Sequence, residues 1–312
     1  MSLLISVVIC TYNRADLLAE TLECVCQQRF DRSTYEVLVV DNHSTDETAA
    51  VSHTFAARYP NVRYCFEPQQ GISHARNRGW REARGEYVAY VDDDCCQVRA
   101  EWLAIAQELI ERLSPTVFGG PYLALYNSPK PRWYKDRYAS YEPYAQAQRL
   151  ERADALCCGN LFLRRDLFEQ IGGFNSKLGP VGQKLGYGEE TELLNRIHVM
   201  MPQAVIYYEP RLYLYHLVRP EKMTWRWIIK SYMARGRDSF FISPPPASKW
   251  RFLGRLIKYS ALFLLSLPFG LLFRNRTQYP YVQNFLLEVT CDYLAALGEL
   301  YEQSRQLIQG SR

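Results

Sequence analysis

Three consecutive carboxylates, Asp92-Asp93-Asp94, close an apolar run at residues 87–91. Carboxylates this close repel one another, so keeping them together destabilises a fold unless a cation neutralises them. All-oxygen ligands suit a hard divalent ion, Mg²⁺ or Mn²⁺, which also bridges phosphate oxygens. A solvated acidic turn is the plain alternative, and a position straight after a buried-strand pattern weighs against it. A second acidic cluster, Glu189-Glu190-Thr191-Glu192, follows Gly186-Tyr187-Gly188. Acids favour a helix N-terminus without any chemistry. Behind a glycine-rich loop at 179–188, however, they also stand where a general base on a mobile acceptor lid is needed. Asp41 ends another apolar run and suits either a nucleoside hydroxyl or a local helix cap. Ala75-Arg76-Asn77-Arg78-Gly79 brings two guanidiniums, which either meet a diphosphate or fix the carboxylates. His216, among tyrosines, is a candidate metal ligand, although most lone histidines are structural.

These groups need a scaffold that gathers them. Residues 3–10 form a continuous apolar run, as a buried parallel strand does. Asn13 reads as an N-cap, with Leu17, Leu18, Leu22 and Val25 on one helical face. Strand patterns recur at 35–41, 62–66 and 87–91. Helix patterns lie between them, the second capped by Ser44 or Thr45 and the third spanning 72–84. The repeat predicts an α/β fold: a mainly parallel nucleotide-binding sheet with helices on both faces. Ligands bind such sheets at the carboxyl ends of the strands. Those ends carry Thr11-Tyr12-Asn13, Asp41-Asn42 and Asp92-Asp93-Asp94. Farther on, the patterns predict helices at 101–113 and 189–201, short strands at 204–208 and 212–216, and a linker at Pro244-Pro245-Pro246. Six tyrosines between 122 and 144 either stack on acceptor sugars or pack a loop.

The chain of 312 residues has a net charge of +4, unevenly spread. Residues 211–280 hold 13 Lys and Arg against 2 Asp and Glu, or +11, which leaves −7 for the rest. The apolar stretch 250–276 lies inside this basic third, flanked by Arg251, Arg255, Lys258, Arg274 and Arg276. Its uncharged core of 15 residues is shorter than the ~20 a spanning helix needs. It reads as an interfacial helix on anionic headgroups, with an ordinary packed helix as the alternative. Leucines interleaved with the basic residues suit lipid better than a nucleic-acid groove. A last amphipathic helix is expected at 281–308, and the C-terminal helices offer a dimer interface as the other use of this region. The organisation predicted is a catalytic domain at 1–240 and a helical C-terminal region at 241–312. Within that first domain, residues to about 115 form one half and 116–220 the other. No basic start and small-residue cleavage site opens the chain, and nine cysteines without zinc-ligand spacing point to free thiols in a reducing cytoplasm.

Seven motifs in order resemble the family 2 glycosyltransferases of the type A fold. They are Val7 to Arg14, Val39 to Asp46, Ala75 to Gly79, Tyr90 to Asp94, Cys158-Gly159-Asn160, Ile171 to Phe174 and Gly188 to Glu192, and the resemblance covers roughly residues 3–220. It implies an inverting transfer from a nucleoside-diphosphate sugar, with UDP the commonest donor nucleotide of such families. It also implies that Thr11, Tyr12, Asn13, Arg14 and Asp41 hold base and ribose. Asp92, with Asp93 beside it, would bind the nucleotide sugar, and Asp94, less directly His216, would contact the metal. Gly159, Asn160 and Gly188 would shape the acceptor side. Glu190 stands where the family usually has the aspartate base, so either Glu189 or Glu190 fills that role. The membrane segment adds the expectation of a glycan or lipid-linked acceptor met at the inner face of the cell membrane. A dehydrogenase lacks its GxGxxG here and an NTPase its P-loop. A sugar nucleotidyltransferase would carry glycines after the first strand. A membrane-docked scaffold without catalysis is the rival from another class.

Overall fold

The computed structural model describes residues 3–151, 156–242 and 249–309, so the three-proline segment lies outside the described residues. The chain forms two compact units. The first comprises Met1–Leu125, Ala139–Gly182 and Glu189–Val218, and the second Tyr126–Tyr138, Gln183–Gly188 and Arg219–Arg312. The break expected at 240 falls instead inside a helix, because the helical unit begins at Arg219 and takes in two earlier segments.

In the first unit, β1 (Ile5–Thr11), β2 (Tyr35–Asp41), β3 (Val62–Phe66) and β4 (Tyr87–Asp92) alternate with α1 (Ala15–Cys26), α2 (Thr48–Arg58) and α3 (Ile72–Glu82). There follow β5 (Gln97–Val98), α4 (Trp102–Leu113), β6 (Val117–Gly119), β7 (Tyr122–Leu125), β8 (Gln148–Leu150) and β9 (Asn160–Arg164). The unit ends with α5 (Leu167–Ile171), α6 (Glu189–Met200), β10 (Ile206–Tyr208) and β11 (Leu214–Leu217). Eight strands make one sheet in the order β3-β2-β1-β4-β9-β6-β10-β8, mainly parallel, with β9 antiparallel to both its neighbours and β8 antiparallel to β10. Side chains alternate across a strand. Ile5, Val7 and Ile9 therefore join α1 and α4 in one core, while Val8 and Cys10 join α3, α5 and α6 in the other. Burial on both faces explains the unbroken apolar runs. The parallel register sets Thr11 opposite Asp41 and Cys10 opposite Asp92, so the polar strand ends share one edge. A second sheet of three strands, β5-β11-β7, was not predicted. Its strands have two to four residues, too short for alternation to show.

The helix starts also differ from expectation. Asn13 is not the N-cap of α1. It takes a left-handed conformation (φ 52°), and its Oδ1 accepts a hydrogen bond from the Thr45 amide at 2.7 Å. Asp46, rather than Ser44 or Thr45, serves the helix starts. Its Oδ2 accepts from the Ala15 amide at 3.0 Å and its Oδ1 from the Thr48 amide at 3.1 Å, so one carboxylate meets the first turns of both α1 and α2.

The second unit is helical: α7 (Trp225–Ile242), α8 (Lys249–Leu272) and α9 (Val282–Gln309). At Gly236 and Gly298 the helices α7 and α9 approach so closely that an added Cβ would lie 1.8 Å from the Ala295 carbonyl oxygen and 2.2 Å from that of Met233. On one side α8 packs on α9 through the Arg255–Glu299 ion pair at 2.6 Å and the stacked rings of Phe263 and Tyr293. Along another side Trp250, Leu253, Ile257, Leu264 and Leu271 stand exposed at spacings of three, four and seven residues. Among the described residues no helix is long and apolar enough to cross a membrane. The tyrosines of 126–138 pack against one another and on Trp133, and the Tyr138 hydroxyl donates to Glu288 at 2.8 Å. The packed-loop reading therefore holds for Tyr126, Tyr134 and Tyr138.

Burial opposes ionisation of Asp46, but the Thr48 hydroxyl and the Ala15 and Thr48 amides outweigh it and hold its carboxyl below the ordinary 3.8. A group depressed in the folded state stabilises above its unfolded pKa and loses that contribution as pH falls through the folded value. Asp46→Ala should lower stability at neutral pH by roughly 1–2 kcal/mol, as lost caps do. In urea titrations, the gap between wild type and variant should close below about pH 4.

Candidate active site

The site is built around a buried cation. α3 carries Arg76 under the end of β4, where it is 6% exposed. Its guanidinium lies 2.6 Å from Glu189 Oε1 and 3.6 Å from Asp92 Oδ1. The Phe174 ring packs against it at 5.5 Å, and the Tyr90 hydroxyl donates to the Arg76 carbonyl at 2.9 Å. The surrounding carboxylates keep Arg76 charged despite its burial. Of the two uses open to Arg76 in the sequence, the structure displays the fixing of carboxylates. Arg78 is elsewhere, paired with Glu82 at 2.9 Å and donating to the Cys65 sulfur. Asn77, between them, exchanges two hydrogen bonds of 2.8 Å with the backbone of Phe174, which explains why the Ile171 to Phe174 motif accompanies this one.

The acidic triplet is divided among three supports. Arg14 lies 2.8 Å from Asp93 Oδ1 and 3.8 Å from Asp94 Oδ2. That engagement places Arg14 on the triplet, whereas the sequence had put it on the nucleotide. The Tyr122 hydroxyl donates to Asp92 Oδ2 at 2.9 Å and reaches Asp94 Oδ1 at 3.3 Å. The Asp94 carbonyl accepts from the Leu217 amide at 2.8 Å, tying the turn to β11. His216, also on β11, stacks on Tyr122 with centroids 4.0 Å apart. Its Nε2 meets the Ala139 carbonyl at 2.8 Å; since a carbonyl only accepts, Nε2 carries the proton and Nδ1 the lone pair. Among the described residues no three His, Cys, Asp or Glu side chains converge as a ready ligand set. Asp92 and Asp94 meet at one hydroxyl, however, and Mg²⁺ or Mn²⁺ commonly takes one or two carboxylates and completes its shell with substrate phosphates and water. The donor set fits on that basis.

The two glutamates separate. Glu189 opens α6 buried, with Oε1 on Arg76, and burial followed by the charge of Glu190 raises its carboxyl to about 8 against the pull of Arg76. Glu190 is half-buried. Burial, then Glu190 and Asp92 in that order, push the Cys157 thiol upward. The loop before them is held at both ends. Leu178 and Pro180 accept from Ser73 and Ile72 in the first unit, while in the second unit the Tyr187 amide donates to Asp238. Gly188 belongs to that second unit, where its φ of 90° suits glycine and a Cβ would meet Ile242 at 2.6 Å.

At the donor edge, Asp41 is buried, and its oxygens accept from the Ser44 amide at 2.8 Å and the Tyr64 hydroxyl at 2.9 Å. Thr11 is buried, Tyr12 half-buried and Asn13 exposed. Asn42 clips the β2 loop to the β3–α3 loop, donating to the Gln69 carbonyl and accepting from the Gly71 amide, both at 2.7 Å. Gly159 lies against the site: an added Cβ would come within 2.4 Å of the Tyr122 ring and 2.7 Å of Asp92 Oδ2. Asn160, expected on the acceptor side, is instead fully buried. Its amide accepts from Trp102 and donates to the Pro121 and Leu212 carbonyls, which makes it a brace for the strands. Tyr122 and Phe174 were not singled out as site residues in the sequence, and the only signal was their place in a tyrosine run and a glycine motif.

Because the Glu189 carboxyl titrates higher folded than unfolded, the native state keeps a proton that the unfolded chain releases above pH 4.5. Wild type should therefore lose stability as pH rises from 4.5 to about 8. Glu189→Gln, which keeps an oxygen for Arg76, should flatten that slope, as urea midpoints across the range would show.

Residues 6–172 match the profile described as glycosyl transferase family 2. Over 175 residues the chain is 32% identical to glycosyltransferase AglE of Haloferax volcanii, covering 56% of this chain and 57% of that protein. Over 209 residues it is 25% identical to the glucosyl-dolichyl phosphate glucuronosyltransferase of the same organism, covering 65% of this chain and 66% of that protein. The chain thus aligns with between half and two thirds of the length of these relatives. In fold it is similar to the mannosyltransferase PcManGT of Pyrobaculum calidifontis, solved with GDP-Man and Mn²⁺. The TM-score is 0.64 at 19% identity, over 96% of this chain and 87% of that one. With the profile spanning more than half of its length, the chain belongs to glycosyl transferase family 2.

Proposed function

We propose that the chain moves a sugar from a nucleoside-diphosphate sugar to a hydroxyl of a glycan or lipid-linked acceptor, with inversion, in surface polysaccharide or glycoconjugate synthesis. One observation carries the reading: Glu189 is spent on Arg76, the cation that also faces Asp92, while its neighbour Glu190 opens the same helix half-buried. A carboxylate so placed can take the proton from an acceptor hydroxyl as that oxygen attacks the anomeric carbon. A single displacement then inverts that carbon. Thr11, Tyr12, Asn13 and Asp41 would receive base and ribose. Asp92 and Asp94 would hold Mg²⁺ or Mn²⁺, with His216 stacked behind them on Tyr122, and the ion when bound would neutralise charge on the departing diphosphate. Arg14 and Arg76 keep the carboxylates in place around it.

Titration calorimetry of UDP, GDP and dTDP, each with and without Mn²⁺, tests the donor half. One nucleotide should bind in a metal-dependent way, and Asp94→Ala should abolish it. Glu190→Gln should bind that nucleotide normally and lose transfer about 10²–10⁴-fold, the usual contribution of a general base. Equal transfer by wild type and Glu190→Gln, or a product that retains the donor configuration, would remove the mechanism.

A lipid-linked acceptor is supported by the second unit and by the dolichyl-phosphate acceptor named in one relative. Between Lys249 and Arg276 there are six basic residues and no acid, and Trp250 and Leu272 of α8 are 82% and 80% exposed. An apolar helix face with a basic border fits the surface of an anionic bilayer, here its cytoplasmic side. The intact chain should co-sediment with vesicles containing phosphatidylglycerol and not with neutral ones. Replacing Arg274 and Arg276 by Ala should weaken binding about tenfold or more, at ~1 kcal/mol per basic residue. Indifference to anionic vesicles would argue for a protein partner on this face.

A further inference from the structure

We propose that Tyr122 is a positioning residue of the donor site, whose hydroxyl sets the Asp92 and Asp94 carboxylates at a common bite for a divalent cation. The inference rests on the donor-site reading above and concerns a residue outside its set of ligands. Asp92 is the last residue of β4, and Asp94 lies in the turn that follows. Nothing in that turn compels the two side chains to converge, and their charges oppose it. One hydroxyl reaches both, at 2.9 and 3.3 Å.

The fold holds that hydroxyl from every side. The Tyr122 ring stacks on His216 at 13° between planes, and Gly159 leaves no room on the side where a Cβ would stand 2.4 Å away. Its backbone exchanges hydrogen bonds of 2.9 and 2.7 Å with Tyr141. In the parallel pairing of β7 with β11, Tyr122 lies opposite Leu214, so His216 is its diagonal neighbour on the same face. The same strand grips Asp94 through the Leu217 amide. The small three-stranded sheet thereby sets the hydroxyl and the carboxylate turn on one frame.

Tyr122→Phe removes the hydroxyl and keeps the ring, its stack and its volume. The test compares Mn²⁺ binding by wild type and Tyr122→Phe, each with UDP or GDP, by calorimetry on the full chain, with thermal unfolding as the check on folding. Loss of an outer partner that orients metal ligands commonly costs 10–100-fold. The variant should unfold like wild type and, with the nucleotide present, bind Mn²⁺ about 10–100-fold more weakly. In transfer assays the Mn²⁺ midpoint should rise, with kcat largely recovered at saturating metal. A general structural loss would lower kcat without moving that midpoint, and would overturn the proposal. So would unchanged Mn²⁺ affinity in the variant. Failure of wild type to bind any Mn²⁺–nucleotide pair would instead remove the donor-site reading, and this proposal with it.

Discussion

A guanidinium that cannot be deprotonated is buried beneath the end of β4, and the rest of the site is arranged to make that tolerable. Removing such a charge from water costs several kcal/mol unless partners of opposite charge and good geometry surround it. Arg76 finds partners on two elements far apart in sequence, the carboxylate of Asp92 at the end of a strand and, as a hydrogen-bond acceptor, Glu189 at the start of a helix. The same cation therefore serves as the joint between the donor-side carboxylates and the segment that carries the proposed base. Its supports are arranged accordingly. Phe174 lies against it, Asn77 clamps the Phe174 backbone, and Arg196 binds the Ile171 and Gly173 carbonyls from α6. A motif that looks like a turn signal, Gly172-Gly173, is in physical terms the seat of that joint.

The triplet is solved differently from how its charge alone suggests. Three adjacent carboxylates call for a cation, and two arginines and a phenol already divide the burden among them. The site is thus partly neutralised by the protein's own side chains. Asp93 is buried on Arg14, and Asp92 is the most exposed of the three.

Much of this was legible in the sequence, for reasons that are local. Buried parallel strands print as continuous apolar runs, and parallel register carries their ends to one edge, so the residue pattern alone brings Thr11, Asp41 and the triplet together. The glutamates could be placed at a helix start by their position after glycine. What was not legible depends on pairings between distant segments. Asn13 has the composition of a cap, but the loop bends it toward Thr45 and leaves capping to a residue 31 positions past Ala15. Asn160 looks like a polar residue next to a site glycine, and only the strand order shows that Trp102, Pro121 and Leu212 consume its amide. Tyr122 was one of six tyrosines, and nothing in its neighbours distinguished it. Its role comes from a three-stranded sheet whose strands are too short to announce themselves. The boundary at 240 failed similarly, since segments 126–138 and 183–188 join the helical unit through contacts that no composition change marks.

The carboxylate of Asp46 has an evolutionary consequence. The β1 loop and the β2 loop follow neighbouring strands, and loops without a shared anchor can drift separately. Here each begins its helix on the same side chain, and Asn13 and Ser44 bind each other's loop as well. A change of length or path in one loop would withdraw the anchor of the other. Substitutions in the two loops are therefore coupled, and grafting either loop alone from a relative would transplant half of a part.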